Sequence, residues 1–390
     1  MKIPFSKVDC SGNESEYINQ VLKSGWLTTS SKAEEFELFF RTLIGVKHAI
    51  ALNSCTSALH LALEAIGVGP GDKVLVPSMT FTSSAEVIRY LGADPIFLDI
   101  DYGTTLITSK IVKNAISSNI NLKALISVDF AGHPAPLISS NAEEGILELC
   151  HSHGIKVISD SAHAFPSKIN GSYVGNIADI TCFSFYANKT ITTAEGGMLT
   201  TNDAEIAARV KLMRLHGIDR DIWKRYTSGL PQWEYDVLAP GYKYNMPDLN
   251  AAIGLAQLER VEEMRSRRQK IAEYYLENLS NIKHLDLPEV KIPNSSHAWH
   301  LFTLVLNEYS NITRDEIIKL LFKDGIGISV HYKPLHRMSY YKKQYNLSLI
   351  DYPNTERIWK GTFSLPIYSL LEDNEVEYIV ERVKFHLTCN

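Results

Sequence analysis

The chain is poor in cysteine. Its five thiols, Cys10, Cys55, Cys150, Cys182 and Cys389, are scattered and odd in number, with no CxxC pair and no Cys/His spacing of a metal site. A disulfide framework and a zinc site are therefore not expected, and no metal is assigned. Long apolar runs are missing too. No window approaches the roughly 20 apolar residues a membrane span requires, and the first ten residues lack a signal-peptide core. A cytoplasmic protein with no membrane partner is expected. Nor is there a basic excess: 39 Lys and Arg stand against 44 Asp and Glu, a formal net charge of −5. That argues against nucleic acid as a partner, because binding needs a basic face to neutralise phosphates. Internal repeats and low-complexity segments are absent as well.

What is present is an ordinary globular composition, 45% apolar and 21% charged, in 390 residues. That length suggests one large and one smaller domain. Short apolar runs over 49–52, 73–76, 95–98, 124–128, 156–159, 180–183 and 198–200 read as strands. Amphipathic segments such as 57–66 and 142–153 lie between them. Near-continuous β-branched runs joined by helices predict an α/β fold whose mostly parallel sheet is buried on both faces. Ligands bind such sheets at the carboxyl ends of the strands. A long helix is predicted from Pro247 to about Leu279, bridging a large domain over 1–250 to a small α+β domain over 251–390. That tail should hold strands over 299–305 and 327–331 and helices over 313–324 and 373–386. Residues 214–242, without a clear period, read as a long functional loop.

Two strand ends carry chemistry. The run FSFYANKTITTAEGG over 183–197 takes an apolar strand into Lys189 and then into a small, Gly-rich turn. The strand IKVISD over 155–160 ends on Asp160, with His163 just beyond. One lysine and one carboxylate at such ends are what a pyridoxal phosphate (PLP) site requires. The amine bonds covalently to the cofactor, and the buried carboxylate keeps the pyridine nitrogen protonated. Taken singly, Lys189 reads as a surface lysine and Asp160 as a helix cap; taken together they favour the cofactor. Ser54-Cys55-Thr56-Ser57, just before a helix over 58–63, offers free amides and hydroxyls to a phosphate.

The segments over 183–197, 160–163 (DSAH) and 53–60 (NSCTSALH) together resemble the DegT/DnrJ/EryC1/StrS family of sugar aminotransferases. The resemblance runs from Gly25 to Pro366. It implies the aspartate-aminotransferase fold, fold type I, with PLP as cofactor. By that resemblance Lys189 is the catalytic lysine, and Cys55, Thr56 and Ser184 hold the phosphate. Phe81 stacks on the ring, Asp160 faces its nitrogen, and His163 touches its hydroxyl or face. A homodimer with shared sites is implied, in which Asn245 or Lys243 reaches the partner's cofactor phosphate. Relatives that act as sugar 3-dehydratases carry histidine where Lys189 stands, so transamination is favoured. The acceptor implied is a nucleotide-linked keto sugar, aminated from glutamate at C4 and destined for lipopolysaccharide, O-antigen or other surface glycans. Segments 239–246 and 297–302 look closest to enzymes acting on UDP-linked 4-keto sugars. Arg220, Lys224, Arg225, His331, Lys333 and His336 are candidates for the diphosphate. The alternatives are a PLP-dependent sugar dehydratase, amino-acid side-chain chemistry, and an inactive PLP-binding regulator.

Overall fold

Seven strands form the central sheet of the computed structural model, which describes residues 1–140, 144–219 and 235–388. They are β1 (His48–Leu52), β2 (Lys73–Pro77), β3 (Asp94–Leu98), β4 (Leu122–Val128), β5 (Lys156–Asp160), β6 (Ile180–Ser184) and β7 (Gly197–Thr201). All seven predicted strands are present, with ends moved by one or two residues. The order across the sheet is β1-β7-β6-β5-β4-β2-β3. Parallel pairing runs from β6 to β3, and β7 lies antiparallel to both of its neighbours. Crossover helices Cys55–Ala65, Ser83–Tyr90 and Ser109–Ser118 cover the faces. Consecutive residues such as Ala124, Leu125 and Ile126 are therefore all fully buried, as expected of a sheet covered on both sides.

This topology brings several strand termini to one edge. Asp160 ends β5 and pairs with Cys182 of β6. Ser184 ends β6 and faces Gly197, the first residue of the reversed β7. Gly197 also faces Leu52, the last residue of β1. The loops after β1, β5 and β6 thus meet at the carboxyl edge.

A second core gathers Ile271, Tyr275, Trp299, Phe302, Phe363 and Ile379, together with Ile3 from the start of the chain. It lies on a three-stranded antiparallel sheet of Leu285–Asp286, Phe302–Leu306 and Thr362–Leu365. The helix Arg314–Lys323 starts on a capping box in which Thr313 and Glu316 satisfy each other's backbone amides. No helix among the described residues is long and apolar enough to cross a membrane.

Three expectations need correction. The long helix is two, Asp248–Leu258 and Val261–Leu279. Distant residues impose the break. Asn13 and Tyr17 donate to the Glu259 carboxylate at 2.8 and 2.6 Å, and Arg260 leaves helical geometry to bind Asp9. The predicted strand over 327–331 is reduced to a single bridge from Ser329 to Ser364. His331 instead turns its Nδ1 to the Ser364 hydroxyl at 2.9 Å. The strand expected from 299 begins only at Phe302, because Trp299 has a positive φ of 49° that extended backbone does not allow.

Candidate active site

Cys55, Thr56, Phe81, Asp160, His163, Ser184, Lys189 and His331 line one cavity of about 380 Å³ at the carboxyl edge. At its base lies Asp160, buried at the end of β5. Its Oδ2 accepts the Ser84 hydroxyl at 2.7 Å and its Oδ1 the Ala162 amide at 3.2 Å. Burial raises the carboxyl's pKa above its ordinary value, while Ser84, Ala162 and Lys189 pull it back. A carboxylate so placed calls for a cationic group beside it.

Lys189 follows β6 through a turn closed by its own amide to the Tyr186 carbonyl at 3.0 Å. Burial brings its amine down to about 8, with Cys55 and Asp160 acting in the opposite sense. A lysine in that range supplies free amine near neutral pH, which a surface lysine does not.

The helix Cys55–Ala65 begins beside them. Ser54 caps it by accepting the Ser57 amide at 3.0 Å. Among the described residues the first-turn amides of Cys55 and Thr56 keep no protein acceptor, so they are available to an anion. Gly197 makes the geometry possible. A Cβ there would stand 2.4 Å from the Ser54 carbonyl carbon and 2.6 Å from the Cys55 nitrogen. Only glycine lets β7 pass this close to the helix start.

The walls are aromatic. Phe81, one of the lining residues, is 55% exposed despite its size. His163 accepts the Ala131 amide on Nδ1 at 3.3 Å. Burial first, and then Lys189, hold this ring neutral, which assigns its proton to Nε2. Nε2 therefore donates to the Tyr332 oxygen at 3.1 Å. The Tyr332 hydroxyl proton is left free to serve the cavity.

Not every candidate converges here. Asn245 lies outside this cavity, bonded through Nδ2 to Thr29 at 2.5 Å and through Oδ1 to Lys243. Lys333 is exposed and does not line it. His336 is not a surface group for a diphosphate. It is fully buried between Ser78 and Glu356, at 2.5 and 2.7 Å, and stacks on Tyr352. Arg220, Lys224 and Arg225 lie outside the described residues, as does most of the long loop. Three neighbours were not singled out from sequence: Ser84, Tyr332 and His300, whose Nε2 lies 3.4 Å from the Lys189 amine. The only signal for Tyr332 and His300 was their place inside segments chosen for other residues; Ser84 lay in none of them.

The donor set suits PLP: a buried carboxylate needing a cation, a low-pKa amine, free helix amides for a phosphate and an exposed aromatic ring in the lining. Comparison with known proteins agrees. The DegT/DnrJ/EryC1/StrS aminotransferase family model matches residues 9–384. The spore coat polysaccharide biosynthesis protein SpsC of Bacillus subtilis is 40% identical over 384 residues, covering 98% of this chain and 96% of its own. Spr1654 of Streptococcus pneumoniae, assigned as a sugar aminotransferase, has been solved in its PMP form. It superposes with a TM-score of 0.89 at 33% identity, over 98% of both chains; its PLP form has also been solved. PseC of Helicobacter pylori, an aminotransferase involved in pseudoaminic acid biosynthesis, gives a TM-score of 0.90 at 27% identity over the whole of both chains. The fold, the cavity chemistry and these relatives agree: the chain belongs to the DegT/DnrJ/EryC1/StrS aminotransferase family, as a PLP-dependent sugar aminotransferase of fold type I.

Proposed function

We propose that the enzyme moves an amino group from glutamate to the C4 keto group of a nucleotide-diphosphate-linked sugar, UDP being the favoured nucleotide, for amino-sugar and surface-glycan synthesis in the cytoplasm. The observation that carries this reading is the meeting of Lys189 and Asp160 with the helix start at Cys55 in one cavity. When bound, PLP supplies an electron-withdrawing ring and a carbon that carries the amino group between the two substrates.

This chain's residues do the rest. Asp160 holds a proton at the ring nitrogen and recovers there the cation its burial calls for. Lys189 moves a proton at Nζ, and its lowered pKa keeps a fraction of it free amine at neutral pH. The Cys55 and Thr56 amides, with the Thr56 and Ser184 hydroxyls, bind the phosphate. Phe81 covers one face of the ring, and His163 contacts its hydroxyl side. His331, Lys333 and Arg220 meet the acceptor's diphosphate. Asn245, turned away from its own cavity, completes the site of a partner subunit in a homodimer. The chain divides into a large unit over 1–250 and a small one over 251–390, a reading supported by the separate core around Phe302 and Ile379.

Glutamate should convert the holoenzyme to its pyridoxamine form, and a UDP- or dTDP-linked 4-keto sugar should return it, both followed by absorbance. The diphosphate supplies remote binding energy that orients the carbonyl, so the free keto sugar should fail. Return by simple 2-oxo acids but by no nucleotide sugar would overturn the reading.

A further inference from the structure

Beside Lys189, and not among the residues lining the cavity, stands His300. Its Nε2 is 3.4 Å from the lysine Nζ, and its ring lies 4.4 Å from that of His163, tilted by 41°. The residue is almost wholly buried. Its Nδ1 is buried with no hydrogen-bond partner among the described residues. The backbone that carries it is clamped. Buried Arg268 sends Nη1 to the carbonyls of Trp299 at 3.2 Å and Ile367 at 2.8 Å, and reaches that of His300 at 3.5 Å. Trp299 is fixed in turn by its indole N–H to Gln269 at 2.8 Å and by its stack on His297 at 3.9 Å. The imidazole is therefore held at a set distance from the lysine by a chain of buried contacts.

We propose that His300 is the positioning residue of Lys189: whenever the lysine is not bonded to the cofactor, Nε2 accepts one of its N–H groups and aims the amine back into the cavity. The inference rests on the assignment of Lys189 as the catalytic lysine and adds the group that orients it. Lysine has four rotatable bonds, so an amine released during each turnover would otherwise sample many rotamers. One fixed acceptor removes most of that freedom, and placement of the base within hydrogen-bond reach is a large part of its effectiveness.

The same surroundings exclude the bolder role of proton acceptor. Burial is the largest cause opposing a positive charge on the ring, and the charges of Lys189, His163, Arg268 and His331 oppose it too. Among the described residues no carboxylate is bonded to it to offset them. His300 therefore stays neutral, with its proton on Nδ1 and its Nε2 lone pair toward the lysine. It can accept a hydrogen bond but cannot keep a proton, which distinguishes it from a general base.

The pyridoxamine form of the holoenzyme, in which the lysine is free, provides the test. With histidine labelled in nitrogen-15, the His300 signal, identified by its loss in H300Q, should be that of a neutral ring with Nε2 unprotonated, unchanged from pH 8 down to pH 6. An Nε2–H tautomer, or an imidazolium at pH 7, would overturn the proposal without requiring any variant to be active. Rescue gives the second arm. His300→Phe keeps an aromatic ring and removes the acceptor, whereas His300→Gln restores an acceptor. His300→Phe should slow binding of PLP to the lysine of cofactor-free enzyme at least tenfold, and His300→Gln should recover to within about threefold of wild type. Equal rates in the two variants, both with wild-type melting temperatures, would reduce His300 to a packing residue. Failure of borohydride to fix the cofactor on Lys189 in wild type would instead remove the assignment on which the proposal stands.

Discussion

The Ser84 hydroxyl donates to Oδ2 of Asp160 at 2.7 Å, tying the carboxylate that ends β5 to the start of the helix Ser83–Tyr90. A hydrogen bond to a charged group is worth about 1.5–3 kcal/mol. Ser84→Ala should raise the Asp160 pKa further and lower kcat about tenfold, with cofactor still bound. Asp160→Asn should do more, because the ring nitrogen loses its anion altogether. Loss of one preorganised electrostatic partner costs on the order of 3 kcal/mol, a hundredfold or more in kcat. Steady-state rates alongside PLP titration separate the two effects. A near-normal rate in Asp160→Asn would leave that residue a helix cap.

Borohydride should fix the cofactor to one peptide, and mass spectrometry should locate it on Lys189. Lys189→Ala should lose transamination while still binding PLP through the helix amides and Asp160. Label on another lysine would refute the assignment.

The central sheet was legible because each strand is a short apolar run between helices, a pattern that burial on both faces demands. Asp160 and Lys189 were legible because strand ends and polar groups coincide in a few residues. The break at Glu259 was not. Helical propensity continues through Glu259 and Arg260, and the interruption comes from Asp9, Asn13 and Tyr17, more than 200 positions away. His300 and Tyr332 were hidden for the same reason, since only the folded chain sets them beside Lys189 and His163. His336 had the reverse problem: a histidine among basic residues looks exposed until Ser78, Glu356 and Tyr352 are seen to enclose it.

Acid should destabilise the fold below about pH 6.5. Burial pushes His133 and His331 down to about 4. A histidine whose folded pKa is depressed contributes stability that is present above its unfolded pKa and lost as pH falls toward the folded one. At about 1.4 kcal/mol per pH unit, each accounts for on the order of 3 kcal/mol between pH 6.5 and 4. Asp129 works in the opposite sense. Burial raises it to about 6, so its contribution is greatest at low pH and declines as pH rises through 6. Two histidines outweigh one carboxyl, and the melting temperature should fall on acidification. His133→Gln should make that fall shallower; an unchanged profile would show that His133 is not buried neutral.

Gly197→Ala should damage the cofactor site without touching a single candidate side chain. The added carbon would meet the Ser54 carbonyl carbon at 2.4 Å, and neither β7 nor the helix start can yield without moving the Cys55 and Thr56 amides. PLP affinity should fall at least tenfold in an absorbance titration. Wild-type affinity would show that the phosphate does not sit at that helix start.

The last expectation concerns the partner subunit. Asn245 is bonded to Lys243 and to Thr29, outside the cavity that holds Lys189, although the Tyr244 carbonyl accepts the Asn53 amide at 2.8 Å just before the helix start. If this segment serves the neighbour's phosphate, a Lys243→Ala/Asn245→Ala double variant and Lys189→Ala should each be inactive alone. Mixed dimers would then contain one site with both defects and one with neither. Mixing under conditions of proven subunit exchange should restore up to about half of wild-type activity per mixed dimer, since one of its two sites is intact. Absence of recovery would mean that each subunit builds its own site. Asn245 would then be only the bond that ties Thr29 to the end of β1.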